Sequence, residues 1–280
     1  MGGSLAKANL PADMVATYDI ANRLTQFNAR TVSYDANGNM LNDGNKSMIW
    51  NARDQLIGLS TGANFSYDAT GRRLGKTVGG VTTGYMYDGI NPVQEFDAAG
   101  NTKADMLTGG VDQFFARTVN GVTSSYITDA LGSTLGLTDA AGSFTTQYGY
   151  EAYGNTTTTG GYSDNPFQYT GRENDGTGLY YYRARYYDPE LPRFISQDPA
   201  GFGGGINQHA YVSGDPVSYT DPSGECPWCW AAAGAAAIDL IVQIVENGGD
   251  VSCVNWGQVG IAGVTGAGLS GLGEIGRAHV

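Results

Sequence analysis

The chain has 280 residues, with 43 glycines, 18 tyrosines, a net charge of −12 and two histidines. This length allows one or two domains with a sizeable core. The acidic charge, without a Lys/Arg cluster, argues against nucleic acid as a partner of this region, because phosphate binding needs clustered cations. His209 and His279 offer almost no material for histidine catalysis or metal sites. Any chemistry must rely on carboxylates, and abundant Gly, Tyr and Thr favour short strands and tight turns.

The two ends of the chain carry their own signals. Residues 1–10 contain no apolar stretch after a basic one, so no secretory signal peptide is visible. Residues 274–280 read Glu-Ile-Gly-Arg-Ala-His-Val and resemble a translated sequencing adapter. We therefore expect the natural reading frame to continue beyond Gly273, and any export to use another route or an upstream start.

A repeat runs along the first half of the chain. An aromatic residue followed by an acidic or amide residue recurs at intervals of 16, 16, 17 and 20 residues, at Tyr18, Tyr34, Trp50, Tyr67 and Tyr87. We interpret each copy as a hairpin in which the aromatic residue ends a strand and Asp and Gly form the turn. Because single hairpins are marginal, successive copies must pair into a continuous sheet. The alternative is an ordinary antiparallel sandwich with coincidental Tyr-Asp turns.

These copies, between Tyr18 and Tyr153, resemble the YD repeats of the Rhs family, which build a β-strand spiral that closes into a hollow shell. Similar repeats occur in cell-surface adhesion proteins. The resemblance implies an all-β fold, with residues 1–153 as the YD-repeat sheet.

A tyrosine-rich segment follows the repeats. Ten of the 18 tyrosines lie between positions 148 and 187, together with Arg172, Arg183 and Arg185. This composition alone indicates a packed aromatic layer whose arginines are buried by pairing. Four Asp-Pro pairs follow within 35 residues, and the pairs at Asp198 and Asp221 continue as Asp-Pro-x-Gly. Each of these two predicts a turn that presents a carboxylate at a bend.

This segment is similar to the Rhs repeat-associated core domain. The matching stretches, in order and spacing, are residues 165–171, 179–189, 193–199 and 219–224. The resemblance implies a plug domain over 154–224 that cuts its own chain once, after the last Asp-Pro-x-Gly. A toxin carried by the variable C-terminal region, which begins at residue 225 and runs to 280 here, would thereby be released inside the shell.

By motif position, the arginine and two aspartates essential in the family fall on Arg185, Asp198 and Asp221, and the cut falls on the Glu225–Cys226 bond. Two carboxylates that share a site do not both ionise readily, so one can activate water while the protonated one polarises the scissile carbonyl. A nearby arginine would stabilise charge on the carbonyl oxygen. Such a site requires no cofactor and no metal.

Three positions depart from the family pattern. Glu225 stands where Leu is usual, His209 where Tyr is preferred and Asp215 where Asn is preferred. A negative charge at position 225 is expected to raise the pKa values of the aspartic pair and to slow or prevent cleavage.

Composition changes after Glu225. Cys226-Pro-Trp-Cys229 and Cys253 are one ligand short of a zinc site, and no βαβ pattern surrounds them, so we predict thiols packed among apolar side chains. Residues 231–245 are helix-like in composition, and residues 251–273 are uncharged and rich in glycine. The segment 231–273 therefore predicts close-packed apolar helices that line the shell or, alternatively, contact a membrane.

The sequence is thus interpreted as the encapsulating, self-processing part of an Rhs-type polymorphic toxin. The implied partners are its own C-terminal cargo, an immunity protein and a secretion apparatus, and the implied location is secreted or on the bacterial cell envelope. One alternative is an extracellular or wall-associated YD-repeat adhesion protein that binds carbohydrate or protein and is not cut. Another is a processed shell whose tail only anchors it in a membrane.

Overall fold

The computed structural model describes residues 15–225. Within these residues every regular element is a β-strand or a short 3-10 helix, which confirms the predicted all-β fold. The same range contains no helix long and apolar enough to span a bilayer. The Cys-Pro-Trp-Cys motif, the predicted helical segment 231–273 and the adapter-like residues 274–280 lie outside the described range.

Twelve antiparallel strands, β6 to β17, form one sheet in which each strand pairs with its neighbours in sequence. Their bounds are Met48–Trp50, Leu56–Leu59, Asn64–Tyr67, Arg73–Val78, Val81–Asp88, Asn91–Phe96, Thr102–Thr108, Phe114–Val119, Val122–Thr128, Thr134–Thr138, Phe144–Tyr150 and Thr156–Gly160. The continuous pairing expected of stacked hairpins is therefore present. The sheet extends to Gly160, whereas the domain boundary at residue 153 stays a prediction.

Three smaller sheets complete the described fold. Strands β1 to β3 and the pair β4–β5 precede the large sheet, and β18 to β21 form a four-stranded sheet after it. Their bounds, in order, are Ala16–Tyr18, Leu24–Phe27, Arg30–Thr31, Ser33–Tyr34, Met40–Asn42, Glu173–Asn174, Tyr180–Tyr182, Arg185–Asp188 and Arg193–Phe194. The 3-10 helices are Tyr169–Gly171, Gly201–Gly204 and Val212–Gly214.

The YD unit at Tyr67 turns as its sequence predicts. In the unit at Tyr67, the tyrosine ends β8 and Asp68 Oδ1 accepts hydrogen bonds from the amides of Thr70 and Arg72, at 2.8 and 2.9 Å. Gly71 has a φ of +92°, a conformation that favours glycine. The Asx turn therefore reverses the chain between successive strands.

In four of the units the aromatic side chain also donates a hydrogen bond, which the repeat pattern does not predict. The hydroxyls of Tyr67, Tyr87 and Tyr150 donate to main-chain carbonyls of a preceding strand, at 2.6, 2.8 and 2.6 Å. Trp50 donates its indole N–H to the Met40 carbonyl, at 2.7 Å. At these four positions a half-buried ring with a polar tip makes a hydrogen bond that Phe could not make.

The tyrosine-rich segment and the residues that follow it pack against strands of the large sheet. Their core consists of seven buried residues, Tyr169, Tyr180, Tyr182, Tyr187, Phe194, Tyr211 and Val212. Tyr181 and Tyr186 face the other way and join the core formed by the first strands. The packed aromatic layer expected from composition is therefore correct for most of these residues.

A buried ion network joins this segment to the sheet. Arg73, on β9, has no exposed surface and pairs with Glu173 and Asp175, while Lys76 lies 2.9 Å from Asp175. The Arg73 guanidinium also lies over the Tyr181 ring, 4.0 Å from its centroid. The arginine is thus buried by pairing with carboxylates and stacking on an aromatic ring.

Candidate functional site

Arg185, Asp198 and Asp221 meet in the structure. Arg185 begins β20, Asp198 follows β21, and Asp221 lies near the end of the described chain. Arg185 Nη2 is 2.8 Å from Asp198 Oδ2 and 3.5 Å from Asp221 Oδ2. All three side chains are at most 3% exposed. The three predicted residues therefore form one buried cluster in which two carboxylates share a single nitrogen.

The Asp-Pro-x-Gly motifs hold these carboxylates by local turns. Asp198 Oδ1 accepts the Ala200 amide at 2.8 Å, and Asp221 Oδ1 accepts the Gly224 amide at 2.9 Å. In both motifs Oδ1 is used by the turn and Oδ2 is directed towards Arg185. Forming a turn and presenting a carboxylate are therefore two consequences of the same motif.

Arg185 uses its donors on several partners. Its Nε donates to the Gly224 carbonyl and its Nη1 to the Gln208 carbonyl, the latter at 2.8 Å. Its guanidinium carbon lies 3.6 Å from the centroid of the Phe194 ring. The carbonyl held by Arg185 is thus one residue before the expected scissile carbonyl. These contacts describe a residue that orients both carboxylates and the chain, rather than one that binds the scissile oxygen directly.

The two aspartates have different surroundings. Burial raises the pKa of Asp198, and the charges of Asp221 and Glu225 add to the rise, while Arg185 and the Ala200 amide oppose it. Asp221 Oδ2 accepts no hydrogen bond from residues 15–225 and has only its 3.5 Å ion pair with Arg185. The raised pKa favours the protonated form of Asp198, and Asp221 Oδ2 is free to accept a hydrogen bond within the site.

Gly204 is a site residue that sequence reasoning missed. A β-carbon at this position would lie 2.2 Å from Asp198 Oδ2 and 2.7 Å from the carbonyl oxygen of Glu225. Both oxygens therefore rest against the same glycine, and the carbonyl of residue 225 adjoins the Asp198 carboxylate. The sequence signal was weak, because Gly204 is the middle of three consecutive glycines. Cys226, on the other side of the expected cut, lies outside the described residues.

Glu225 lies where two cavities meet. One, of about 560 Å³, is lined by Tyr181, Arg172 and Arg183 among others, and the second, of about 440 Å³, by Asp198 and Arg185 among others. Glu225 contributes to the walls of both cavities. The chain therefore leaves the described fold beside open space.

His209 is a buried structural residue next to this site. Its ring packs edge-on against Tyr34, with centroids 5.5 Å apart, and its carbonyl accepts the Phe194 amide at 3.0 Å. Burial lowers the pKa of His209 to about 4, so the ring is neutral near pH 7. Asp215, the other departure in this part of the chain, is only partly buried.

Metal ligation finds no support in the described part of the chain. Residues 15–225 contain no group of three or more His, Cys, Asp or Glu side chains arranged to hold a metal ion.

A twelve-stranded antiparallel meander that carries the Tyr-Asp repeat, packed on a tyrosine-rich segment, defines a YD-repeat protein. Residues 3–210 match the family model described as Teneurin YD-shell. The chain belongs to this YD-shell family and is an Rhs-type polymorphic toxin family protein.

Individual relatives agree with this assignment. The tRNA3(Ser)-specific nuclease WapA of Bacillus spizizenii is 36% identical over 240 residues, which cover 80% of this chain and 10% of that protein. Toxin protein Tse5 of Pseudomonas aeruginosa is 48% identical over 60 residues, or 21% of this chain and 5% of Tse5. This chain thus spans about a tenth or less of the length of these relatives.

Among solved structures, the crystal structure of TcdB2-TccC3 aligns with a TM-score of 0.58 and 22% identity. It covers 75% of this chain and 13% of the other. At this identity the likeness shows the fold alone.

Proposed function

We propose that this chain encloses a C-terminal cargo and cuts itself once, between Glu225 and Cys226, by aspartate chemistry. The observation that carries the proposal is the buried cluster in which Asp198 and Asp221 share Arg185 Nη2. The Glu225 carbonyl oxygen rests against the same glycine as the Asp198 carboxylate.

The proposed reaction is a hydrolysis with two proton transfers. Asp221 takes a proton from a water molecule, whose oxygen bonds to the carbonyl carbon of Glu225, while protonated Asp198 gives its proton to the carbonyl oxygen. As the intermediate collapses, the C–N bond breaks, the nitrogen of Cys226 receives the proton from Asp221, and Asp198 recovers its own. The products are a free carboxyl group on Glu225 and a free amine on Cys226, and both aspartates return to their initial states.

The charge of Glu225 is compatible with this division of roles. Burial is the main cause of the raised pKa of Asp198, and the Glu225 charge adds to it. The Glu225 charge raises a carboxyl pKa, as expected from the sequence, but the affected residue, Asp198, is the one that must keep its proton. A negative residue at the cut therefore favours the acid form of Asp198 instead of disabling the pair.

The partners of the proposed function follow from the family. The released segment would be a toxin that begins after Glu225, with an immunity protein and a secretion apparatus as further partners, and the chain would be secreted or associated with the cell envelope. The WapA relative is named as a tRNA nuclease and Tse5 as a toxin. The matched portion here lacks clustered cations, so we assign no nucleic-acid binding to it.

The direct test is the intact mass of the chain after expression with a tag at each end. The unsubstituted chain should yield two fragments whose masses place the cut between residues 225 and 226. Asp198→Asn and Asp221→Asn should each slow the cut by about 10²- to 10⁴-fold, the usual contribution of an acid–base group. Asp215→Asn is the matched control, because it changes another Asp-Pro aspartate, and it should be cut normally.

Two outcomes would contradict the proposal. One is a single uncut species that behaves identically in all four chains, which would favour the uncut adhesion protein, especially if that species binds glycans. The other is cleavage at a different bond, or cleavage that persists unchanged in both site variants.

A further inference from the structure

The carbonyl of Pro222, which precedes Glu225 by three residues, is bound by two guanidinium groups. Arg183 Nη1 donates to it, and Arg172 Nη1 donates to it at 3.2 Å. The next carbonyl, of Ser223, accepts the Ala184 amide at 3.1 Å, and the one after it is held by Arg185. Three consecutive carbonyls are thus fixed, which sets the register of the chain as it enters the site.

Both arginines at Pro222 depend on one carboxylate from the large sheet. Asp112, in the turn between β12 and β13, places Oδ1 2.9 Å from Arg172 Nη1 and 2.6 Å from Arg183 Nη2. It lies 60 and 71 positions away from them in sequence. Asp112 and Arg183 both have left-handed backbones, with φ of +58° and +63°. Such conformations are costly for non-glycine residues and persist where the surrounding contacts demand them.

The turn that carries Asp112 is itself held in place. The Asp112 amide donates to Asn91 Oδ1 at 3.1 Å, and Asn91 Nδ2 donates to the Gly110 carbonyl at 2.8 Å. A β-carbon on Gly171 of the plug would lie 2.8 Å from the Asp112 carbonyl oxygen. The sheet turn therefore docks on the plug at a close approach that only glycine permits.

Electrostatics explain why the carboxylate is needed. Burial lowers the pKa of Arg183, the nearby positive charge of Arg172 lowers it further, and Asp112 opposes both effects. Two guanidinium groups converging on one carbonyl repel each other unless an anion lies between them. Without Asp112, the arrangement around Pro222 loses its principal counter-charge.

We propose that Asp112, Arg172 and Arg183 form a clamp, here called the Pro222 clamp, that positions residues 222–224 for cleavage. Because Asp112 belongs to the sheet and the arginines to the plug, the clamp is complete only when the plug is docked. Self-cleavage is thereby made conditional on assembly of the sheet with the plug. This inference rests on the proposed function, although the clamp itself can be measured without any cleavage.

The first experiment measures the clamp in the full chain carrying Asp198→Asn, in which the proposed cut is slowed by about 10²- to 10⁴-fold. Amide hydrogen exchange is compared with and without Asp112→Asn. Exchange should rise at least tenfold at Ala184, whose amide donates to the Ser223 carbonyl, and at Gly224, whose amide donates to Asp221 Oδ1. The Ile195 amide, bonded to the carbonyl of Tyr186 elsewhere in the plug, should stay unchanged and so exclude general unfolding.

The second experiment measures the cleavage rate with Asp198 present. Asp112→Asn should slow the cut by about 10- to 100-fold, since a displacement of about 1 Å has this effect on a reacting geometry. Arg183→Lys, which keeps the charge but not the planar fork, should give an intermediate rate. The matched control is Asp175→Asn, which weakens another buried pair between sheet and plug and should be cut at the normal rate.

The outcomes separate the two ideas. An unchanged exchange rate at Ala184 and Gly224 overturns the clamp, whether or not the chain cuts. Increased exchange with an unaltered cleavage rate overturns its positioning role, as does equal slowing by Asp112→Asn and Asp175→Asn. If the unsubstituted chain is never cut, the proposed function fails, while increased exchange would still support the clamp as a docking device.

Discussion

Replacing Gly204 by Ala should disable the site with little harm to the fold. The added methyl group would lie 2.2 Å from Asp198 Oδ2, whereas ordinary contact begins at 3.4 Å, so the carboxylate must move by about 1 Å. A displacement of that size costs roughly 10²-fold in rate. The same group would press on the Glu225 carbonyl, 2.7 Å away. Overpacking of this kind destabilises a fold by about 1–3 kcal/mol, which a folded chain can tolerate.

Gly203 provides the matched control for this prediction. A β-carbon there would meet its nearest neighbour, Ala200 Cβ, at 3.9 Å, an ordinary contact, and its φ is not in the left-handed region. The assay follows the fraction of cut chain against time by gel or mass, with thermal unfolding to show that both variants are folded. If Gly204→Ala is cut at the unsubstituted rate, or if Gly203→Ala is slowed equally, then displacement of the Asp198 carboxylate does not control the cut.

Three further predictions concern stability. Burial lowers the pKa of His209 to about 4, so the stabilisation that depends on its neutral ring is complete above pH ~6.5 and is lost as the pH falls towards 4. In urea unfolding, His209→Phe should lose on the order of 3 kcal/mol of this pH dependence of the unfolding free energy. Hydrogen bonds, first from Thr70, lower the pKa of Asp68 to about 2, so the stabilisation from its carboxylate is present above pH 3.8 and disappears as the pH falls through 2. Thermal melts of Asp68→Asn should lack that loss of stability in acid. Arg73→Met removes the main cationic partner of the buried carboxylates Asp175 and Glu173, so it should lower the free energy of unfolding by about 3–5 kcal/mol in urea titration. A change near zero would contradict a structural role for the network.

The site divides into a part that the sequence predicts and a part that it does not. Motif positions shared with the Rhs core domain point to Arg185, Asp198 and Asp221, and the structure brings them together on one nitrogen. The contacts of Arg185 differ from the role expected from the sequence, because its donors hold the carboxylates and the Gly224 carbonyl and not the scissile carbonyl oxygen. Motif spacing shows which residue types converge, but hydrogen-bond partners depend on the path of the chain between the motifs.

The aromatic position of the repeat shows the same division. Its spacing and its Asx turn are local properties and could be predicted residue by residue. The bond from Tyr67 to the Leu56 carbonyl joins residues that become neighbours only when adjacent strands pair. The preference for a polar aromatic ring is therefore visible in the sequence, while its reason is visible only in the sheet.

The sequence alone indicated the Tyr-Asp hairpins and the all-β class, because turns depend on residues that are close in the chain, and its resemblance to the Rhs core domain pointed to the three residues of the candidate site. Only the tertiary structure showed that Gly204 lies against both Asp198 and the Glu225 carbonyl, and that Asp112 pairs with Arg172 and Arg183. The Asp112 pairs and the contact of Gly204 with Glu225 join segments that are distant in sequence, and no local pattern encodes them. Packing of the plug on the sheet creates the Asp112 pairs, and the path of the chain within the plug creates the Gly204 contacts.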